Sequence, residues 1–387
     1  MTKFLHTADL HLGRAFKSIG AGGTPELAAE LEATRYQAVE RLGELAAETG
    51  AAFVVVAGDL FDTPRPSGKV LAKALQAFGK VEVPVYAIPG NHDPGGPLGP
   101  YATAEYREYR ELYAPHFHLL TEPAPVVLDE HRVALLPCPI VGRPNQDPTT
   151  WLRSASAYAD LPDGYARVCI AHGGTLTFAS DVPAAEMIHL QRLERDELDY
   201  VALGDWHGTL HVTDPIYRYA GTPEPDRFPR SDTYRSGLIL EVAVARGAET
   251  AITEHSAGRF AWLEHARTLR SAEDVARLGE ELLAATEQRG RLLRLVLDGS
   301  LDIAASAALS RTRRRLSDVY ASLSVDDAGL FVKPGAEELD ALRHDRSHPA
   351  VASVARKLAA LLDDPDEAPA TRLALVKLYE ATRAQAA

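Results

Sequence analysis

At 387 residues the chain has room for two or three domains at roughly 150 residues each. A content of 46% hydrophobic and 25% charged residues excludes a collagenous, coiled-coil or wholly disordered chain. The 41 basic and 54 acidic side chains leave a net charge of −13, which excludes a surface coated in positive charge. A nucleic-acid ligand then needs a local basic groove, or metal ions that bridge to phosphate. Two cysteines, Cys138 and Cys169, cannot frame a disulfide scaffold and suit a reducing interior. The longest apolar run, Ala51 to Ala57, is too short to cross a bilayer, and no apolar signal region precedes His6, Asp9 and His11. The expectation is a cytoplasmic protein without membrane contact.

In chain order, short β-rich runs recur through the first half, and each closes on polar residues. Lys3–Thr7 leads into Asp9 and His11, and Phe53–Ala57 into Gly58 and Asp59. Val83–Ile88 leads into Gly90, Asn91, His92 and Asp93. Arg167–Ala171 leads into His172, and Tyr200–Leu203 into Asp205 and His207. Helical spacing over Thr24–Thr49 and Gly68–Phe78 separates the first three, and Thr103–Tyr113 is a further helix candidate. Strands alternating with helices predict an α/β layer architecture, in which sites gather beyond the carboxyl ends of the strands. All five polar clusters fall there. After about residue 245 the pattern predicts a helix over Ser271–Thr286, a strand over Arg291–Leu297, a helix over Ile303–Leu316 and a strand over Leu323–Val325. Two helical stretches, Val351–Leu362 and Thr371–Tyr379, form a tail. The predicted domains are 1–250, a smaller α+β domain over 258–335, and a helical region over 336–387.

Asp9 and His11 stand two apart, so at a strand end both point to one side. The full set of clusters mixes carboxylate, imidazole and amide oxygen, with no thiolate. Such donors suit Mn²⁺, Fe²⁺ or Zn²⁺ better than a structural cysteine-type zinc site. With this many donors two ions are more natural than one. A pair of ions ~3.5–4 Å apart can clamp the oxygens of a phosphoryl group during in-line displacement, which makes phosphoester hydrolysis the expected reaction class.

The strings HTADLHLG, AGDLFD, PGNHD, AHGG and GDWHG resemble the ordered motifs of calcineurin-like metallophosphoesterases. The opening HTADLHLGR with GDLFDT and IPGNHD resembles the SbcD-type DNA repair exonucleases in particular, and Gly221-Thr222-Pro223-Glu224-Pro225 resembles the segment that follows those motifs. The resemblance implies a two-sheet sandwich flanked by helices, followed by a capping domain. It also implies that Asp9, His11 and His207 hold one metal, that Asn91 and His172 hold the second, and that Asp59 bridges them. His92 would stabilise the transition state or protonate the departing oxygen, as a positioned imidazole can, with Asp93 orienting it. The pattern breaks at Asp205, where the family usually has histidine. An aspartate there replaces a neutral donor by a negative one, or is too short to reach the ion.

Among other polar residues, Asp62 reads as a turn cap, and His6 as a core or sheet residue. Arg14 and Arg65 lie near the metal motifs and are candidate phosphate contacts, and Arg311, Arg313, Arg314 and Arg315 form the one dense basic run. That run is either a solvated helix face or a phosphate-tracking patch whose binding weakens steeply with salt. The resemblance further implies manganese as the metal, DNA as the substrate, an SbcC-like coiled-coil ATPase as the partner and pairing into a homodimer. A small-molecule phosphatase with the same two metals, and a metal-stabilised scaffold without catalysis, are the competing readings.

Overall fold

The computed structural model describes residues 1–16, 23–142, 146–175, 187–229, 231, 233–284, 290–332, 335–364, 367–368, 370–371, 373–375 and 377–378. The chain forms two compact units, the first ending at Ala261 and the second beginning at Trp262.

The first unit is a sandwich of two six-stranded sheets. One sheet is built on β1 (Thr2–Thr7), β2 (Val54–Ala57), β3 (Val85–Ile88) and β4 (Phe117–Leu119), mutually parallel. The antiparallel strands β11 (Leu238–Val244) and β12 (Ala251–Ser256) extend it beyond β1. The other sheet runs in the order β5 (Val126–Leu128), β6 (Val133–Cys138), β7 (Ala166–His172), β8 (Tyr200–Gly204), β10 (Asp214–Tyr219), β9 (Leu210–Val212).

Strand alternation assigns the faces. Phe4, Phe53, Val55, Leu240 and Val242 point from the first sheet into the sandwich, where they meet Val133, Leu135, Val168, Ile170, Tyr200 and Ala202 of the second. Their neighbours Leu5, Val54, Val56, Val85 and Ala87 point the other way and pack under helices α1 (Pro25–Thr49) and α2 (Gly68–Phe78). With both faces covered, β2 is buried along its whole length, so its sequence reads as an unbroken apolar run. Helix α1 starts where Thr24 Oγ1 accepts from the Leu27 amide at 3.2 Å, with Pro25 in the first turn, and it stops at Gly50 with φ of 69°. Helix α3 (Ala104–Tyr113) follows the turn after β3.

The sequence pattern does not announce β6, although all six of its residues are buried. Pro137 argues against a central strand, because proline cannot donate to a ladder. The register removes the conflict: β5 pairs only with Val133–Leu135 and leaves Pro137 beyond the paired stretch on that side.

The second unit has a three-stranded sheet, β13 (Ala261–Leu269), β14 (Arg291–Leu301) and β15 (Ser322–Val332), with β14 and β15 parallel. Helices α4 (Ala272–Ala284) and α5 (Ile303–Val319) pack on it through Val275, Leu278, Leu282, Leu309 and Leu316. Both strands are longer than the short runs expected at Arg291–Leu297 and Leu323–Val325. Helices α6 (Ala336–Arg343) and α7 (Pro349–Ala359) belong to the same unit, where Leu342, Ala355 and Leu375 form a small cluster. The far ends of the predicted helices Ser271–Thr286 and Thr371–Tyr379 lie outside the described residues. No described helix is long and apolar enough to cross a membrane.

Candidate metal centre

Each polar cluster sits just past the carboxyl end of its strand, or, for His172, at its last residue. The backbone there is held in an unusual state. Asp9, His11, Asp59 and Asp205 all have positive φ, at 55°, 42°, 53° and 101°. A non-glycine residue in that region costs about 1–3 kcal/mol and persists only where its surroundings over-determine it. Here they do. The Asp9 amide donates to the Gly58 carbonyl at 3.1 Å, that of His11 to Asp59 at 3.0 Å and that of Leu12 to Leu60 at 2.7 Å, which zips the first two strand-end loops together. A buried guanidinium from α1 clamps the same loop: Arg35 donates to the carbonyls of Leu10 at 2.8 Å, Asp9 at 3.1 Å and Glu224 at 3.3 Å.

These loops bring the donors together. Potential ligand atoms of Asp9, His11 and His207 lie within 4.8 Å of one another, as do those of Asp9, Asp59 and His172. Asp59 Oδ2 is 3.6 Å from His11 Nε2 and 3.4 Å from His172 Nε2, so one carboxylate reaches both groups. Asn91 Oδ1 is 3.3 Å from His172 Nε2. The His92 amide donates to Asp59 Oδ1 at 2.9 Å, and the Asp205 amide donates to both oxygens of Asp9 at 3.0 and 3.2 Å. The Asp205 carboxylate approaches the centre less closely, with Oδ1 at 3.9 Å from His172 Nε2.

The imidazoles turn their Nε2 atoms toward the centre. His172 Nδ1–H donates to the Ala57 carbonyl at 2.8 Å, which turns Nε2 toward Asp59 and Asn91. His207 Nδ1 is 3.0 Å from Asp226 Oδ2, and His11 Nδ1 is 3.4 Å from Asp62 Oδ1. His11 Nε2 and His207 Nε2 face each other at 3.2 Å. Two ring nitrogens so close need a proton or a cation between them. Burial, foremost, lowers His11 to about 4 and lowers His207 as well, so both rings are neutral at pH 7. Burial raises Asp9 strongly, with Asp59 and Asp205 adding to it. For His172 burial acts against protonation, but the negative charge of Asp59, Asp9 and Asp205 outweighs it and the ring is raised well above its ordinary value. The cluster therefore calls for positive charge, and its oxygen and imidazole donors fit a pair of divalent cations.

Two expectations change. Asp93 does not orient His92. It is buried beneath the turn and its oxygens are spent on the amides of Gly90 (2.8 Å) and Phe61 (3.0 Å) and on the Tyr101 hydroxyl (2.5 Å). Burial and the nearby Asp59 raise it to about 7. His92 is instead fixed by the Asp62 carbonyl, which takes its Nδ1–H at 2.9 Å. Asp62 is more than a turn cap, because its carboxylate faces His11 and its carbonyl holds His92. Arg65 is exposed on the loop before α2, and Arg311, Arg313, Arg314 and Arg315 lie on α5 of the second unit, where Arg313 pairs with Asp327 at 2.9 Å. The sequence reading missed Asp226, whose side chain is fully buried, and with it Arg227 and Arg35. Asp226 directly follows the Gly221–Pro225 segment, which was the available signal.

The profile described as calcineurin-like phosphoesterase matches residues 2–209, more than half of the chain and all five clusters. The chain belongs to the calcineurin-like phosphoesterase family. Two curated relatives illustrate the similarity. The DNA double-strand break repair protein Mre11 of Archaeoglobus fulgidus is 37% identical over 94 residues, which is 24% of this chain and 19% of that protein. The uncharacterized metallophosphoesterase YhaO of Bacillus subtilis is 27% identical over 226 residues, 57% of this chain and 53% of that protein. The chain thus spans about half or less of the length of these relatives. A crystal structure of a dimetal phosphatase from Danio rerio aligns with 14% identity and a TM-score of 0.35, covering 65% of this chain and 98% of that one.

Membership of the calcineurin-like phosphoesterase family implies metal-dependent phosphoester hydrolysis with two divalent ions. Asp9, His11 and His207 would hold one, His172 and Asn91 the other, with Asp59 between. Bound there, the ions supply Lewis acidity to the phosphoryl group and activate water. The chain's own work is positional. Asp93 and the Gly90 amide shape the turn, the turn places Asn91 and His92, and Asp62 fixes the His92 ring. His92, its ring held through Nδ1, would in its protonated form be placed to give a proton to a departing oxygen.

Proposed function

We propose that the protein is a manganese-dependent DNA phosphodiesterase, a repair exonuclease of the SbcD type that works with a coiled-coil ATPase. The observation that carries this reading is the two-group donor cluster beside an exposed His92, in a chain whose relatives include a protein named for DNA double-strand break repair. The hard carboxylate, amide and imidazole donors suit manganese. The net charge of −13 keeps non-specific DNA binding low and leaves attraction to the metal ions and to local arginines. On α5, Arg311, Arg314 and Arg315 are exposed and suited to backbone phosphates. Assembly as a homodimer and docking of the ATPase belong to the same proposal.

The deciding experiment incubates purified protein and Mn²⁺ with linear duplex DNA, and in parallel with a nucleotide monoester. Release of nucleotides from DNA ends, abolished by chelator, is the expected result. Hydrolysis of the monoester alone would replace the nuclease reading by that of a small-molecule phosphatase.

A further inference from the structure

Arg14 follows the first metal motif directly, and as a cation beside a phosphoesterase centre its simplest role is to touch substrate phosphate. Its geometry speaks for another role. Arg14 Nη1 lies 3.3 Å from Asp62 Oδ1 and 3.3 Å from Asp226 Oδ2. These are the same two oxygens that face the histidines: Asp62 Oδ1 is 3.4 Å from His11 Nδ1, and Asp226 Oδ2 is 3.0 Å from His207 Nδ1. One guanidinium nitrogen therefore links the two carboxylates that aim the two rings, and the circuit closes where the rings meet at 3.2 Å through their Nε2 atoms.

We propose that Arg14 is a positioning residue of the metal centre, a tie between Asp62 and Asp226 that sets the tautomer and angle of His11 and His207 together. Carboxylates on the far nitrogen of a ligating histidine fix its tautomer and raise its basicity, and their loss typically weakens metal binding about 10–100-fold. Here two such carboxylates share one counter-charge. Asp226 needs it, because its side chain has no exposure and an unpaired carboxylate at that depth would not stay ionised. Arg227 supplies the second share, with Nε 2.9 Å from Asp226 Oδ1 and Nη2 3.2 Å from Oδ2 and 3.0 Å from His207 Nδ1. The sequence scatters the five members over positions 11, 14, 62, 207 and 226, so only the fold discloses the circuit.

The test is a calorimetric titration of metal-free protein with Mn²⁺, independent of which phosphoester is the natural substrate. In Arg14→Met one of the two equivalents should weaken about 10–100-fold, while the other stays as in the wild type. At saturating Mn²⁺ the KM for bis(p-nitrophenyl) phosphate should be unchanged. Two equivalents of wild-type affinity would overturn the proposal, and a raised KM alongside them would make Arg14 a phosphate contact instead. If Arg14→Met does not fold, Arg14→Gln, which keeps a polar terminus, is read by the same two measurements.

Discussion

Gly90 offers the sharpest test of how closely the centre is built. It opens the turn that carries Asn91 and His92, and it lies against Asp59, whose Oδ1 accepts from the His92 amide at 2.9 Å. A Cβ at position 90 would fall 2.1 Å from Asp59 Oδ1 and 2.5 Å from the Asp59 amide nitrogen, where real Cβ contacts under 3.0 Å essentially do not occur. Relief requires a displacement of roughly 1 Å, taken either by the shared carboxylate or by the turn, and a misplacement of that size can cost about 100-fold in rate. The overpacking itself costs about 1–3 kcal/mol, which a domain of this size survives. We therefore expect Gly90→Ala to fold with a lowered melting temperature and to hydrolyse bis(p-nitrophenyl) phosphate about 100-fold more slowly at saturating Mn²⁺. Gly68→Ala is the control, since a Cβ there meets only the Tyr109 hydroxyl at 4.0 Å. Wild-type turnover and full metal content in Gly90→Ala would refute the close approach of turn and carboxylate.

Other outcomes follow from the same geometry. His6 is fully buried, with Nδ1 2.9 Å from the Tyr200 hydroxyl, and burial lowers it to about 3. Its folded pKa lies below its unfolded value, so the folded state binds fewer protons; the stability is whole above pH 6.5 and declines as pH falls toward 3. Between pH 6.5 and 5 that is about 2 kcal/mol at 1.36 kcal/mol per unit, and denaturant unfolding of His6→Phe should show a correspondingly shallower pH dependence; equal slopes would contradict it. Asp205→His should retain or raise manganese-dependent hydrolysis, because the amide that holds Asp9 is backbone and histidine restores a neutral donor; complete loss would mark Asp205 as a specific ligand. Chelation should abolish phosphodiesterase activity, and added Mn²⁺ should restore it in a standard colorimetric assay.

The centre was legible where chemistry and strand ends coincide. Asp9, His11, Asp59, Asn91, His172 and His207 each close an apolar run, and the fold of an α/β sheet then converges them without further information. What surrounds them was less legible. Asp226 and Arg35 act through partners far away in sequence; the Gly221–Pro225 segment just before Asp226 was the one adjacent signal, and Arg35 reads as an ordinary helix-face arginine. Asp93 looks like a partner for its neighbour His92, yet a residue at a tight turn can as readily point under the backbone, and the buried amides of Gly90 and Phe61 claim it. In the second sheet β7 and β8 were expected but β6 was hidden, because it carries Pro137, tolerated only because the adjacent strand is short.

The most direct measurement is anomalous diffraction from a crystal soaked in Mn²⁺. The account predicts two peaks, one among Asp9, His11 and His207 and one beside His172 and Asn91, both in contact with Asp59. A single peak, or none within reach of these side chains, would contradict it.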